Sequence, residues 1–270
     1  MDSRVAGRIR LTAVALSTFA LSVGSVLPGN AAPKTYDYDA LGDSFAAGTG
    51  VDPSQAYPNV LDGRMKIALD DFVAVSGATV QTMLTGQLGT LDEDTDVVTI
   101  TVGGNDIEWG QVVLACLARP DPVCAAAVAQ VEQGITAGLP ALLEAAYTQV
   151  RAAAPDAHVV VTGYPRLFSP EYGAYTVPLS PDSSLEASVA EQQMMNDAAD
   201  LLNATIRTTA EAHGFQFVDV TRRFKGHGVN SPDAYLFGVL DPAPFHPNVD
   251  GQHEYGVALR SQINPNSLRR

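Results

Sequence analysis

Short runs rich in β-branched and aromatic residues alternate along the chain with longer segments of helical character. The runs, 36–41, 72–75, 97–102, 158–162 and 215–220, each have strand length. Between them lie helix-like segments at 58–69, 80–91, 107–117, 124–153 and 184–213, the fourth divided by Gly134, Gly138 and Pro140. The last has Ser183 and Ser184 as caps with Glu186 following, and it ends at Gly214. Strands separated this regularly by helices predict an α/β fold with a five-stranded parallel sheet. Helices cover both its faces, joined by right-handed crossovers. No internal repeat or low-complexity linker interrupts the pattern, so a single domain is expected within 32–270.

In such a sheet the ligand site lies beyond the carboxyl ends of the strands, near the point where strand order reverses. Three motifs fall there. Gly42-Asp43-Ser44-Phe45 follows the first run, Ser76-Gly77-Ala78-Thr79 the second and Gly103-Gly104-Asn105-Asp106 the third, while Phe245-His246-Pro247-Asn248 sits in the last long loop. Acyl transfer needs a nucleophile, a base to take its proton, and donors aimed at the oxyanion. Ser44 is the candidate nucleophile, His246 the candidate base, and Gly77 and Asn105 the candidate oxyanion donors. Each has an ordinary alternative: an N-cap for Ser44, a turn glycine for Gly77, a structural role for His246. A phosphate cradle is the rival for 103–106, but neither a Walker pattern nor G-x-G-x-x-G is present. Pro242, Pro244 and Pro247 stiffen the His246 loop. His227 is a competing base, whereas His158, His213 and His253 read as structural or surface groups.

The formal net charge of −14 disfavours nucleic acid and anionic membranes as partners. Arg4, Arg8 and Arg10 precede an apolar run at 11–23, and Gly29-Asn30-Ala31 supplies a small-x-small cleavage pattern, so residues 1–31 read as a signal peptide. The expected product is secreted. Export makes a disulfide the preferred reading of Cys116 and Cys124, which flank a turn-forming stretch; two buried free thiols are the alternative. Such a bridge contributes about 2–3 kcal/mol by the loop-entropy estimate.

Taken in order, the four blocks resemble the SGNH, or GDSL-type, hydrolase family, named for Ser, Gly, Asn and His. Val161-Thr162-Gly163-Tyr164-Pro165, Phe217-Val218-Asp219-Val220, Phe224 with Gly226-His227-Gly228, and the cysteine pair are similar to its secreted actinobacterial-type branch. The resemblance implies a flavodoxin-like three-layer α/β/α sandwich and esterase or lipase activity with no metal or other cofactor. It assigns Ser44 as nucleophile, His246 as general base, and Gly77, Asn105 and the Ser44 N–H as the oxyanion hole. The chain departs from the family at Ala243, where an Asp usually stands three residues before the histidine. Either Asp241 reaches the imidazole by another loop shape, or a backbone carbonyl near Ala243 orients the ring; the carbonyl is preferred. A second departure is Val75, where this branch often has cysteine.

The segment 164–182 carries Tyr164, Phe168, Tyr172 and Tyr175 with several prolines. It suits either an acyl-pocket wall or lid, or a packed excursion. Phe45, Trp109, Phe237 and Phe245 are further candidate walls. The leading expectation is a secreted carboxylic-ester hydrolase acting on a small-molecule or lipid ester, with a lipid–water interface as a possible partner and no obligate protein partner. The alternatives are a carbohydrate acetyl esterase and a catalytically inactive binding protein of the same fold.

Overall fold

In chain order the strands are β1 (Tyr36–Gly42), β2 (Ile67–Phe72), β3 (Val97–Thr101), β4 (His158–Thr162), β5 (Tyr175–Ser180), β6 (Ser183–Ala187) and β7 (Gln216–Val218). The computed structural model describes residues 35–118, 121–264 and 268; the expected signal peptide and its cleavage site lie outside them. One parallel sheet runs β2-β1-β3-β4-β7, and β5 pairs with β6 in a separate antiparallel hairpin. The helices are α1 (Ser44–Ala47), α2 (Tyr57–Leu61), α3 (Val80–Gly86), α4 (Trp109–Ala118), α5 (Asp121–Ala137), α6 (Leu139–Ala153), α7 (Val189–Ala212), α8 (Thr221–Phe224) and α9 (Val249–Gln262). Every residue of β3 is buried, as a strand with helices over both faces must be. α9 packs with α2 and α8, while α6 packs with α3, α5 and α7. This is the expected three-layer α/β/α arrangement. Among the described residues no helix is long and apolar enough to cross a membrane.

The chain leaves β1 outward to β2, then returns to β3 on the other side of β1. Strand order therefore reverses between β1 and β3, where the crevice of such a sheet is expected.

Several elements differ from the sequence expectation. The helix expected over 58–69 stops at Leu61, and the second strand is Ile67–Phe72 rather than 72–75. Met65 and Lys66, at φ 52° and 67°, turn the chain into β2. The acidic pair Asp70-Asp71 hides this strand from a hydropathy reading. The Asp71 backbone N donates to the buried Asp39 carboxylate at 3.1 Å, which ties the strand to β1. Residues 72–75 continue alongside β1, with Val73 N donating to Ala40 O (3.1 Å) and Val75 N to Gly42 O (3.0 Å).

The helix expected over 184–213 begins at Val189, because Ser183–Ala187 is strand β6. Its cap is Ser188, not Ser183 or Ser184. The Ser188 hydroxyl accepts from Glu191 N at 3.2 Å, and Glu191 accepts from Ser188 N at 2.9 Å, a capping box about one turn further on. Gly138 and Pro140 separate α5 from α6 as the sequence suggests. A disulfide joins Cys116 of α4 to Cys124 of α5.

Candidate active site

β1 ends at Gly42, whose φ of 135° suits glycine, and a Cβ there would lie 2.2 Å from Thr101 O. Gln87 grips both polar backbone atoms of this residue: Gly42 N donates to Oε1 at 2.7 Å and Nε2 donates to Gly42 O at 2.9 Å. Asp43 then caps α1, its carboxylate accepting from Phe45 N at 3.0 Å. The cap is thus Asp43, and Ser44 opens the helix with 6% of its surface exposed.

Asn105 follows β3, next to β1 in the sheet. Its Nδ2 donates to Ala78 O at 2.9 Å. An amide nitrogen has two donors, so this bond fixes the side chain on the Gly77 loop and leaves a second N–H. Asp106 reinforces the join by accepting from Val80 N at 3.0 Å. Gly77 has φ 79° and nothing within 4 Å of an added Cβ, so its backbone handedness rather than crowding selects glycine.

His246 is held by a small backbone ladder. Phe237 N donates to His246 O and Phe245 N to Phe237 O, each at 2.9 Å, beside an antiparallel bridge between Leu236 and Pro247. Phe245 takes a φ of 62° at this turn. The ring's Nδ1 donates to Pro244 O at 2.9 Å. A carbonyl can only accept, so the proton sits on Nδ1 and Nε2 keeps its lone pair. Asp241 does not hold the ring: its carboxylate accepts from Gly238 N at 2.7 Å, inside its own turn. The structure thus puts a backbone carbonyl on Nδ1, at Pro244, one residue beyond Ala243.

Ser44, Asn105 and His246 line one cavity of about 140 Å³, walled by Phe45, Trp109, Val113, Leu167, Leu202 and Phe245. The Phe45 and His246 rings lie 5.3 Å apart. Gly77 lines an adjoining open groove of about 520 Å³ that shares Asn105, Trp109, Pro244 and Phe245 with the cavity. Burial lowers the His246 pKa below its ordinary 6.5, against the opposing pull of the Pro244 and Ala243 carbonyls. Burial likewise pushes the Asp43 carboxyl up to about 7, although bonds from Tyr164 and Phe45 pull it down.

The remaining candidates fall elsewhere. His227 stacks on Tyr235 at 3.7 Å and its Nδ1 donates to Asp233 O. His158 Nε2 meets Gln216 Oε1, and His213 packs near Tyr147. Within 164–182, Tyr164, Pro165 and Leu167 line the cavity, whereas Phe168 and Tyr175 pack behind Phe245. Phe237 lies outside the cavity wall and meets Gly50 instead. Asn203 has its side-chain amide committed to Tyr164 N (2.7 Å) and Tyr164 O (2.8 Å).

Sequence reading missed Gln87, Asn203 and Gln252 as supports, since each acts on a segment distant in the chain. Gln252, fully buried on α9, donates to Phe45 O at 3.1 Å and accepts from Tyr57 N at 2.9 Å. It ties the helix after His246 to the turn carrying Ser44. Gln252→Ala removes the partner of the buried Tyr57 N and of the half-buried Phe45 O and is expected to cost on the order of 2–4 kcal/mol. The check is a lower denaturant midpoint at unchanged slope.

Residues 40–253 match the GDSL-like Lipase/Acylhydrolase family. Lipase 1 of Streptomyces coelicolor is 33% identical over 257 residues, covering 88% of this chain and 92% of that protein. The crystal structure of the extracellular lipase from Streptomyces rimosus superposes with a TM-score of 0.75 at 32% identity, covering 85% of this chain and all of that one. A phospholipase A1 from Streptomyces albidoflavus gives a TM-score of 0.73 at 34% identity, with the same coverage of both chains.

Proposed function

The chain belongs to the GDSL-like lipase/acylhydrolase family and is a carboxylic-ester hydrolase, and from that premise we propose that Ser44 and His246 carry its chemistry. Ser44 Oγ attacks the ester carbonyl as its proton passes to His246 Nε2. The free N–H of Asn105, with the Gly77 and Ser44 backbone N–H groups, receives the tetrahedral oxyanion. Collapse expels the alcohol, which takes the proton from His246, and water then repeats the sequence on the acyl-enzyme. The Pro244 carbonyl fixes the ring tautomer, so no carboxylate is needed to orient it. The observation that carries this reading is the convergence of Ser44, Asn105 and an imidazole with a free Nε2 on one apolar-walled cavity.

The apolar walls fit an uncharged acyl chain and give an acetylated sugar few polar partners. Secretion after cleavage near Ala31 is part of the same proposal; the S. rimosus relative is described as extracellular. The test is hydrolysis of esters of graded acyl length beside an acetylated glycan. Longer acyl chains raising kcat/KM over acetate support the lipase/esterase assignment, and preference for the acetylated glycan overturns it.

The His246 shift sets the acid limb of the pH profile. The base works when neutral and its pKa is lowered, so kcat/KM is fully developed at pH 7 and declines only as pH falls through a value under 6.5. The unfolded imidazole binds a proton earlier, so this group's stabilising contribution also fades as pH drops through the same window. A free-enzyme limb above pH 7 contradicts the assignment.

A further inference from the structure

Tyr164 is buried, and its hydroxyl touches both halves of the site. It donates to Asp43 Oδ2 at 2.5 Å and accepts from Gly104 N at 3.1 Å. Asp43 is the residue before Ser44, and Gly104 the residue before Asn105. We propose that Tyr164 is a positioning residue for ester hydrolysis, its hydroxyl holding the nucleophile turn and the oxyanion loop at a fixed separation. The inference rests on the assignment of Ser44 and Asn105 above.

Three observations support a built brace. First, Asn203 holds Tyr164 by both its backbone N and O, so the ring projects from a clamped point. Second, the Phe45 ring packs edge-on against Tyr164 at 5.0 Å, joining the residue after Ser44 to the same support. Third, a Cβ on Gly104 would lie 3.3 Å from Tyr164 Cζ, so the loop comes close to the phenol where it has no side chain. The direction of the bonds is also fixed. Gly104 N–H can only donate, so the phenolic oxygen accepts from it and offers its own hydrogen to Asp43. Burial raises the phenol well above its ordinary range and keeps it in this donor form.

The geometry separates binding from turnover. Tyr164→Phe keeps the aromatic wall of the cavity and the Phe45 contact while cutting both bonds of the hydroxyl. A transition-state oxyanion needs donors held in place, whereas a neutral ground-state ester makes less of them. The expected result is a fall in kcat of about 10- to 100-fold with KM within about threefold of wild type. Asp43→Ala removes the acceptor of the phenol hydrogen outright, together with the cap on Phe45 N. In that background Tyr164→Phe should cost no more than about threefold further, because the brace is already broken.

The experiment is steady-state kinetics on wild type, Tyr164→Phe, Asp43→Ala and the double variant, with melting temperatures, beside Ser44→Ala. Strong coupling between the two substitutions in kcat, at near-constant KM, supports the proposal. A Tyr164→Phe enzyme with wild-type kcat, a change confined to KM, or full additivity overturns it while Ser44→Ala shows its loss of about 10⁴-fold. A loss smaller than tenfold in Ser44→Ala overturns the underlying assignment instead. If Tyr164→Phe does not fold, Asp43→Ala alone decides: wild-type kcat in that variant rejects the brace.

Discussion

Ser44→Ala should lower kcat/KM on an acyl ester by about 10⁴-fold or more while the protein stays folded. The substitution removes one oxygen and little else. Asp43 still caps α1 through Phe45 N, Gln87 still grips Gly42, and the cavity keeps its apolar walls. Residual hydrolysis above the uncatalysed rate is expected, because binding and the oxyanion donors persist without the nucleophile. The measurement is steady-state kinetics on a variant whose melting temperature matches wild type. A loss smaller than tenfold removes Ser44 from the mechanism.

His246→Ala should cost a similar factor, about 10⁴-fold or more, and combining it with Ser44→Ala should add little. Nucleophile and base act as one unit, so losing either removes the same step. The neighbouring carboxylate behaves differently. Asp241 accepts from Gly238 N and leaves Nδ1 to the Pro244 carbonyl. Asp241→Asn should therefore reduce kcat by less than about tenfold. A drop of about 10³-fold would show that a carboxylate orients the ring during turnover. Independent, multiplicative losses in the Ser44/His246 pair would mean the two do not share a step.

Much of the fold was legible because burial on both faces makes β3 and β4 largely apolar, β-branched runs, and because Gly138, Pro140 and Gly214 punctuate the helices. The edge strand β2 was not, since Asp70 and Asp71 have the composition of a turn, and the bond from Asp71 N to the Asp39 carboxylate that helps hold the strand joins positions 32 apart. β6 hid inside a helical pattern for a similar reason. Its serines read as caps until the hairpin with β5 claims them, and Ser188 then supplies the cap. In the site, motif order led to Ser44, Asn105 and His246 lining one cavity. The carbonyl on His246 could be anticipated from the missing acid at Ala243, but its identity needed the φ of Phe245 and the loop's ladder. Gln87, Asn203 and Gln252 carry no local signature of a supporting role, and Tyr164, read as a wall residue, carries none of its bonds to Asp43 and Gly104. Their partners lie 39 to 207 positions away, and only the folded chain brings them within hydrogen-bond reach.

The central claim is that Ser44 is made nucleophilic by His246 beside preorganised neutral donors. Its most direct measurement is reaction with a fluorophosphonate, followed by intact-mass analysis and peptide mapping. The expected result is one adduct per chain on the peptide containing Ser44, lost in Ser44→Ala and strongly slowed in His246→Ala. A folded, ester-cleaving protein that takes no label, or carries it on another residue, would contradict the account.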